Sequence, residues 1–212
     1  MSTQGKATET TRRRYNRIAP FYDFMEGLAE TRYSKWRHLL WSKVEGTHIL
    51  EVGVGTGKNF PYYPEDAEVT AIDFSGQMLK RAQDKAFKTR VGVRLLQMDA
   101  QHLGFEDNAF DTVVASFVIC SVPDPVRGLA EVERVLRPGG KVVLLEHVLS
   151  ANRIVGCLMN WANPLVVRVM GASINRRTVD NVIKSGLMLK QVTDLGFGIF
   201  KLIEARKKMP PP

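Results

Sequence analysis

The part of this chain that most constrains its fold is residues 49 to 60, ILEVGVGTGKNF. A short apolar run bounded by glycines reads as a buried strand. Gly53, Gly55 and Gly57 follow it at alternate positions, where the chain must turn and where no side chain holds a ligand off the backbone. The pattern then repeats. EVTAIDF, VRLLQMDA, FDTVVASFVI and KVVLLEHV are four more strand candidates. Helical candidates separate them: a segment after Gly57, GQMLKRAQDKAF, and PVRGLAEVERVL, which RPGG stops at Pro138 and two glycines. This alternation predicts an α/β fold, a doubly wound, mostly parallel sheet with helices on both faces. Beyond residue 150, TVDNVIKSG predicts a helix. LMLKQVTDLGFGIFKLIEARK predicts an antiparallel C-terminal strand pair closing one edge.

A chain of 212 residues, 44% hydrophobic, suffices for one globular domain, expected over residues 46–212 behind an N-terminal segment of residues 1–45. The net charge is +8, and residues 1–43 hold +5 of it, including Arg12, Arg13, Arg14 and Arg17. Such an excess favours an anionic partner or a solvated surface. Two cysteines, Cys120 and Cys157, and a polar N-terminus point to a reducing cytoplasm without a disulfide; Cys120 is read as packing. IVGCLMNWANPLVVRVM is interrupted by Asn160, Asn163, Pro164 and Arg168, short of the ~20 clean apolar residues a membrane span needs.

In a doubly wound sheet the first strand-to-helix turn lies at the carboxyl edge, where ligands bind. A dinucleotide fingerprint would need glycine at position 58, which is Lys58. Glu51, just ahead of the glycines, would repel a pyrophosphate, so an uncharged or cationic group is expected near this turn. S-adenosylmethionine, a sulfonium carrying an ammonium, fits. Asp73 ends the second strand, where a carboxylate can accept both hydroxyls of a ribose. Asp99 ends the third, where it can meet an adenine amino group or cap a helix.

On these residues the chain resembles the class I S-adenosylmethionine-dependent methyltransferases. EVGVGTG, IDFS with Met78, MDA, FDTVVASFV and RVLRPGGKVVLLE match that family's motifs in order over residues 48–147. The resemblance implies that Gly53, Gly55 and Gly57 approach the cofactor and that Asp73 and Phe74 hold its ribose end. Met78 packs on the adenine, or serves only the core. Asp99 and Ala100 read the adenine edge, and Ser116 and Phe117 line the methionine end. No metal is implied.

Ahead of the first strand, Tyr15, Ile18, Ala19 and Tyr22 recur at helical spacing with the arginines largely off that stripe, predicting a basic amphipathic helix. YNRIAPFYD resembles the entry segment of quinone-ring methyltransferases and of bacterial phospholipid N-methyltransferases, in which a Tyr reaches the cofactor carboxylate and the segment lids the pocket. The motifs look closest to the phospholipid enzymes, and also resemble a group of small-thiol methyltransferases. The implied acceptor is a lipid or lipid-like molecule, foremost a phosphatidylethanolamine-type amine, with thiol and quinone alternatives and a non-enzymatic cofactor-binding module besides. Motifs of DNA-methylating enzymes are missing after the fourth strand, so no nucleic-acid substrate is expected. Tyr22 and His147 are candidates to assist proton removal. Arg176 and Arg177 are candidates for a lipid phosphate, against a solvated turn. Residues 151–175 form an insertion that walls an acyl pocket, touches a bilayer, or is a buried structural helix. The basic helix would hold the protein peripherally on an anionic membrane.

Overall fold

The apolar run ahead of the glycines is strand β1 (His48–Val52), and it lies inside a seven-stranded sheet. The computed structural model describes residues 8–17, 30–170 and 172–210. β1, β2 (Glu68–Asp73), β3 (Arg94–Gln97), β4 (Phe110–Ser116) and β5 (Leu136–His147) are mutually parallel in the order β3-β2-β1-β4-β5. Two further strands, β6 (Met188–Gly196) and β7 (Phe200–Arg206), form the expected antiparallel pair. β7 is the member that joins β5, leaving β6 at the edge.

Helices cover both faces. Helix α1 spans residues 8–17, followed by α2 (Glu30–Trp41), α3 (Gly76–Thr89), α4 (Pro125–Val135), α5 (Arg153–Met170) and α6 (Thr178–Lys184). Strand alternation divides the core. Leu50 and Val52 pack with Leu129 and Val132 of α4 and Val182 of α6, while Ile49 packs with Trp36, Leu40 and Trp41 of α2. Local chemistry sets the helix ends. Ser75 Oγ accepts the Met78 N–H (3.2 Å) at the start of α3, and Arg90 ends it in the left-handed region (φ 56°). Asp124 caps α4, with Pro125 in its first turn.

Three expectations change, and one of the alternatives for residues 151–175 falls. No α-helix follows Gly57: the link to β2 holds a single 3-10 turn, Phe60–Tyr62. Pro61 and Pro64 bias the residues before them away from helix, and α2 covers this face instead. The boundary expected at 45/46 cuts through one core, because Trp36, Leu40 and Trp41 are buried against the sheet. β4 stops at Ser116 rather than running on to Ile119, since Phe117 takes a left-handed φ of 59°. Finally, α5 is not a buried helix: Ile154, Leu158, Trp161 and Leu165 are 74%, 60%, 82% and 67% exposed. No helix among the described residues is long and apolar enough to cross a membrane.

Candidate active site

The strand order reverses at β1, which has β2 on one side and β4 on the other, so a crevice opens beyond its carboxyl end. The glycine turn forms its floor. Gly53 has φ 73°, and a Cβ there would lie 2.2 Å from Val118 Cγ2, so a side chain is excluded by both backbone and space. Gly55 has φ 55° and nothing within 4 Å of where a Cβ would be, leaving open room beside the backbone.

Asp73 holds this turn. Its Oδ2 accepts the Gly55 N–H (3.0 Å) and its Oδ1 the Ser75 N–H (2.8 Å). Burial, to 6% exposure, pushes the carboxyl up to about 6, and the amides at Ser75, Gly55 and Phe74 pull the other way. Beside it lies an apolar cavity with Gly53, Ile72, Asp73, Phe74, Met98, Asp99 and Ala100 on one side and Val118, Ser121 and Val122 on the other. Asp99 accepts from the Gln101 amide (2.9 Å) and from Gln101 Nε2 (3.0 Å), a local turn bond of the kind a cap makes, while still lining the cavity. Met78 does not line it. That side chain is turned into the core from the first turn of α3, and the thioether at the cavity is that of Met98.

Helix α1 lies across this crevice. Thr8 lines the cavity, Asn16 Oδ1 accepts from Ser75 Oγ (2.6 Å), and the Tyr15 ring meets Phe74 edge-on at 5.5 Å. The Tyr15 hydroxyl is 2.5 Å from Ser121 Oγ, and burial holds that phenol well above its usual range. Tyr15 therefore faces the protein body, and Arg12 and Arg13 both pair with Glu9. Ile18, Ala19 and Tyr22 lie outside the described residues.

Glu51 and Ser116 belong to a buried polar network on the other face of the sheet. Asn59 Nδ2 donates to Glu51 Oε1 (2.5 Å) and to Ser116 Oγ (3.0 Å), the Tyr63 hydroxyl donates to Glu51, and Arg37 Nη1 donates to Asn59 Oδ1 (3.1 Å) and Ser116 Oγ (3.0 Å). Burial pushes the Glu51 carboxyl up, against the pull of Tyr63, Asn59 and Arg37. The Glu51 carboxylate is thus engaged by its own chain, fixing the glycine turn from behind. Arg37, Asn59 and Tyr63 went unpredicted; an arginine inside the apolar stretch KWRHLLW was the available signal.

Next to this network, Phe117, Tyr33, Phe200 and Trp36 form an aromatic group, with Tyr33 to Phe117 at 5.1 Å and Trp36 to Phe200 at 4.9 Å. His147, ending β5, meets Phe200 edge-on at 5.0 Å. Burial holds its imidazole below the usual value, against the pull of the Ile174 backbone. Arg176 is placed differently from expectation. Its Nε donates to the Cys120 carbonyl (3.3 Å) and its Nη2 to the Val122 carbonyl (3.0 Å), so it supports the loop after β4. Arg177 is exposed at the start of α6 and lines an outer groove with Arg153 and Lys201.

The fold and crevice define a doubly wound α/β protein with a ligand cleft at the carboxyl ends of β1, β2 and β4. A methyltransferase domain family matches residues 50–144. The phosphatidylethanolamine N-methyltransferase of Cereibacter sphaeroides is 43% identical over 139 residues, 64% of this chain and 66% of that protein. The ubiquinone/menaquinone biosynthesis C-methyltransferase UbiE of Bdellovibrio bacteriovorus is 31% identical over 185 residues, 82% and 77% of the two chains. Among solved structures, the [4+2]-cyclase SpnF superposes with a TM-score of 0.71 at 18% identity, over 92% of this chain and 96% of that one, a likeness of fold. This chain belongs to the S-adenosylmethionine-dependent methyltransferases, and its cofactor is S-adenosylmethionine.

Proposed function

We propose that the protein transfers methyl groups to a lipid acceptor at a membrane surface, and that the acceptor atom is the amine nitrogen of a phosphatidylethanolamine-type headgroup. The observation that carries this reading is the exposed apolar face of α5. Ile154, Leu158, Trp161 and Leu165 recur at helical spacing on an element that leaves the carboxyl edge of the sheet within six residues of His147. Burying each such side chain contributes roughly 1.5–3 kcal/mol, enough together for reversible docking on a bilayer. The relative from Cereibacter sphaeroides supports the same acceptor.

When bound, the cofactor supplies an activated methyl group, so the chain's own work is alignment, exclusion of water and removal of a proton. Asp73 would accept the ribose hydroxyls, Asp99 and Ala100 would meet the adenine edge, and the Tyr15 side of α1 would close the crevice from above. An amine with a reference pKa of ~10.4 is protonated at neutral pH and must lose that proton before it can attack. His147 is the proposed proton acceptor, since its burial favours the neutral imidazole against the pull of the Ile174 backbone. Tyr22 is a second proposed proton-handling group, and exposed Arg177 a proposed contact for the headgroup phosphate.

The test is incubation of the full chain with labelled S-adenosylmethionine and, separately, phosphatidylethanolamine vesicles, a panel of thiols and a quinol, with the product identified by mass. N-methylated lipid is expected. Methylated thiol or quinol without methylated lipid would overturn the acceptor, and cofactor binding without any product would make the protein a binding module.

A further inference from the structure

The loop that follows β4 walls the cavity through Val118, Ser121 and Val122; the Ser121 hydroxyl is tied to Tyr15, and the rest of the loop is held through its backbone. The loop leaves the sheet at Phe117 in a left-handed conformation, so the amides of Val118 and Ile119 lose their strand partners. Both donate instead to one oxygen, Glu146 Oε1, at 2.9 Å each. The loop's carbonyls are taken from another element: Arg176 reaches Cys120 and Val122, and the Ser173 N–H also donates to the Cys120 carbonyl (3.1 Å). Glu146 is 0% exposed, and neither it nor Arg176 lines the cavity.

We propose that Glu146 and Arg176 are positioning residues for cofactor binding, an opposite-charge clamp that fixes the post-β4 loop by its amides on one side and its carbonyls on the other. The tolerance it must hold is narrow. Val118 occupies the space a Cβ of Gly53 would fill, so a small shift of the loop either closes the glycine turn or opens the cavity wall. An apolar residue at this strand end would pack without cost, whereas a buried carboxylate is costly unless its hydrogen bonds are made. The two amide bonds offset that burial only in part. The carboxyl stands at about 7, raised first by desolvation and lowered by the backbone at Ile119, Val118 and Cys120 and by the Cys120 side chain.

The inference concerns the cofactor alone, so it stands or falls independently of the acceptor. Calorimetric titration of the full chain with S-adenosylmethionine tests it. Glu146→Leu strands two buried amides and should weaken binding about tenfold or more, while Glu146→Gln keeps an acceptor oxygen and should recover affinity to within about threefold of the parent. Arg176→Met should weaken binding in the same sense, and Arg176→Lys should restore part of it. Because both side chains act on one loop, the double substitution Glu146→Leu with Arg176→Met should cost less than the product of the single effects. If Glu146→Leu does not fold, the two arginine variants and amide hydrogen exchange at residues 118–122 give the reading, with faster exchange expected in Arg176→Met. Parental affinity in a folded Glu146→Leu or Arg176→Met protein would overturn the clamp. So would a Glu146→Gln protein as weak as Glu146→Leu, or strictly multiplicative effects.

Discussion

The hydroxyl of Tyr15 lies 2.5 Å from that of Ser121, residues 106 positions apart in the chain. That contact ties α1 to the loop forming the far wall of the cavity beside Asp73. Tyr15→Phe removes the bond and keeps the ring on Phe74. A loss of about 0.5–1.5 kcal/mol in cofactor affinity is expected, with faster cofactor dissociation in stopped-flow measurements. Unchanged dissociation would separate the helix from the gating of the site.

Asp73 gives the site a pH dependence. Its carboxyl stands at about 6, and in the role proposed for it only the ionised form would accept both from the turn and from ribose hydroxyls. Cofactor affinity should therefore rise as pH increases through about 6, and Asp73→Asn should flatten that rise. Without cofactor the sign is opposite. A carboxyl raised above its unfolded value favours the folded state below that value, and the contribution disappears as pH climbs through the folded pKa. Asp73 and Glu146, at about 6 and about 7, should both make the unliganded protein melt lower at pH 8 than at pH 5, with the gap narrowed by saturating cofactor.

Two glycines separate folding from binding. Gly53→Ala places a methyl into Val118 at a left-handed backbone position and should lower stability by roughly 1–3 kcal/mol. Gly55→Ala meets no protein atom, so it should cost about 1–2 kcal/mol from backbone conformation alone while intruding on the ligand's space. Thermal melts with and without S-adenosylmethionine distinguish them: Gly55→Ala should keep a measurable melt that the cofactor no longer shifts.

Membrane docking should depend on α5. Replacing Leu158 and Trp161 by serine should abolish co-sedimentation with anionic vesicles and leave calorimetric cofactor binding intact. Because apolar burial is not screened, the parent protein should remain largely on the vesicles as salt rises, only the smaller charge attraction being lost. Replacing Arg12, Arg13, Arg14 and Arg17 by glutamine should have the smaller effect, because Arg12 and Arg13 already pair with Glu9. Persistence of sedimentation in the α5 variant would return the docking role to the N-terminal arginines.

The strands, the glycine turn and the acids at the strand ends were legible because each obeys a local rule: apolar runs, glycine where φ is positive, an acid where a strand stops. Asp73, Gly53 and Gly55 needed no more than that. Partners set by tertiary folding were not legible. Nothing local in KVVLLEHV says that Glu146 will catch two amides released by Phe117, or that Arg176 will turn to the loop and not to solvent. Met78, in the first turn of α3, suits either the cavity or the core by sequence, and packing places it in the core. The missing helix after Gly57 was readable in principle from Pro61 and Pro64, but the glycine turn suggested the commoner arrangement.

That missing helix has a consequence for how the chain is assembled. One face of the sheet is sealed by α2, which precedes every strand in sequence, and its Trp36, Leu40 and Trp41 share a core cluster with Leu145 and with Leu202 of β7. A helix made before every strand cannot complete the burial of its tryptophans until nearly the last strand has emerged. Such closure between distant segments slows folding and leaves apolar surface exposed meanwhile. Shortened forms that end before residue 200 should consequently be recovered as aggregates rather than as a smaller folded unit.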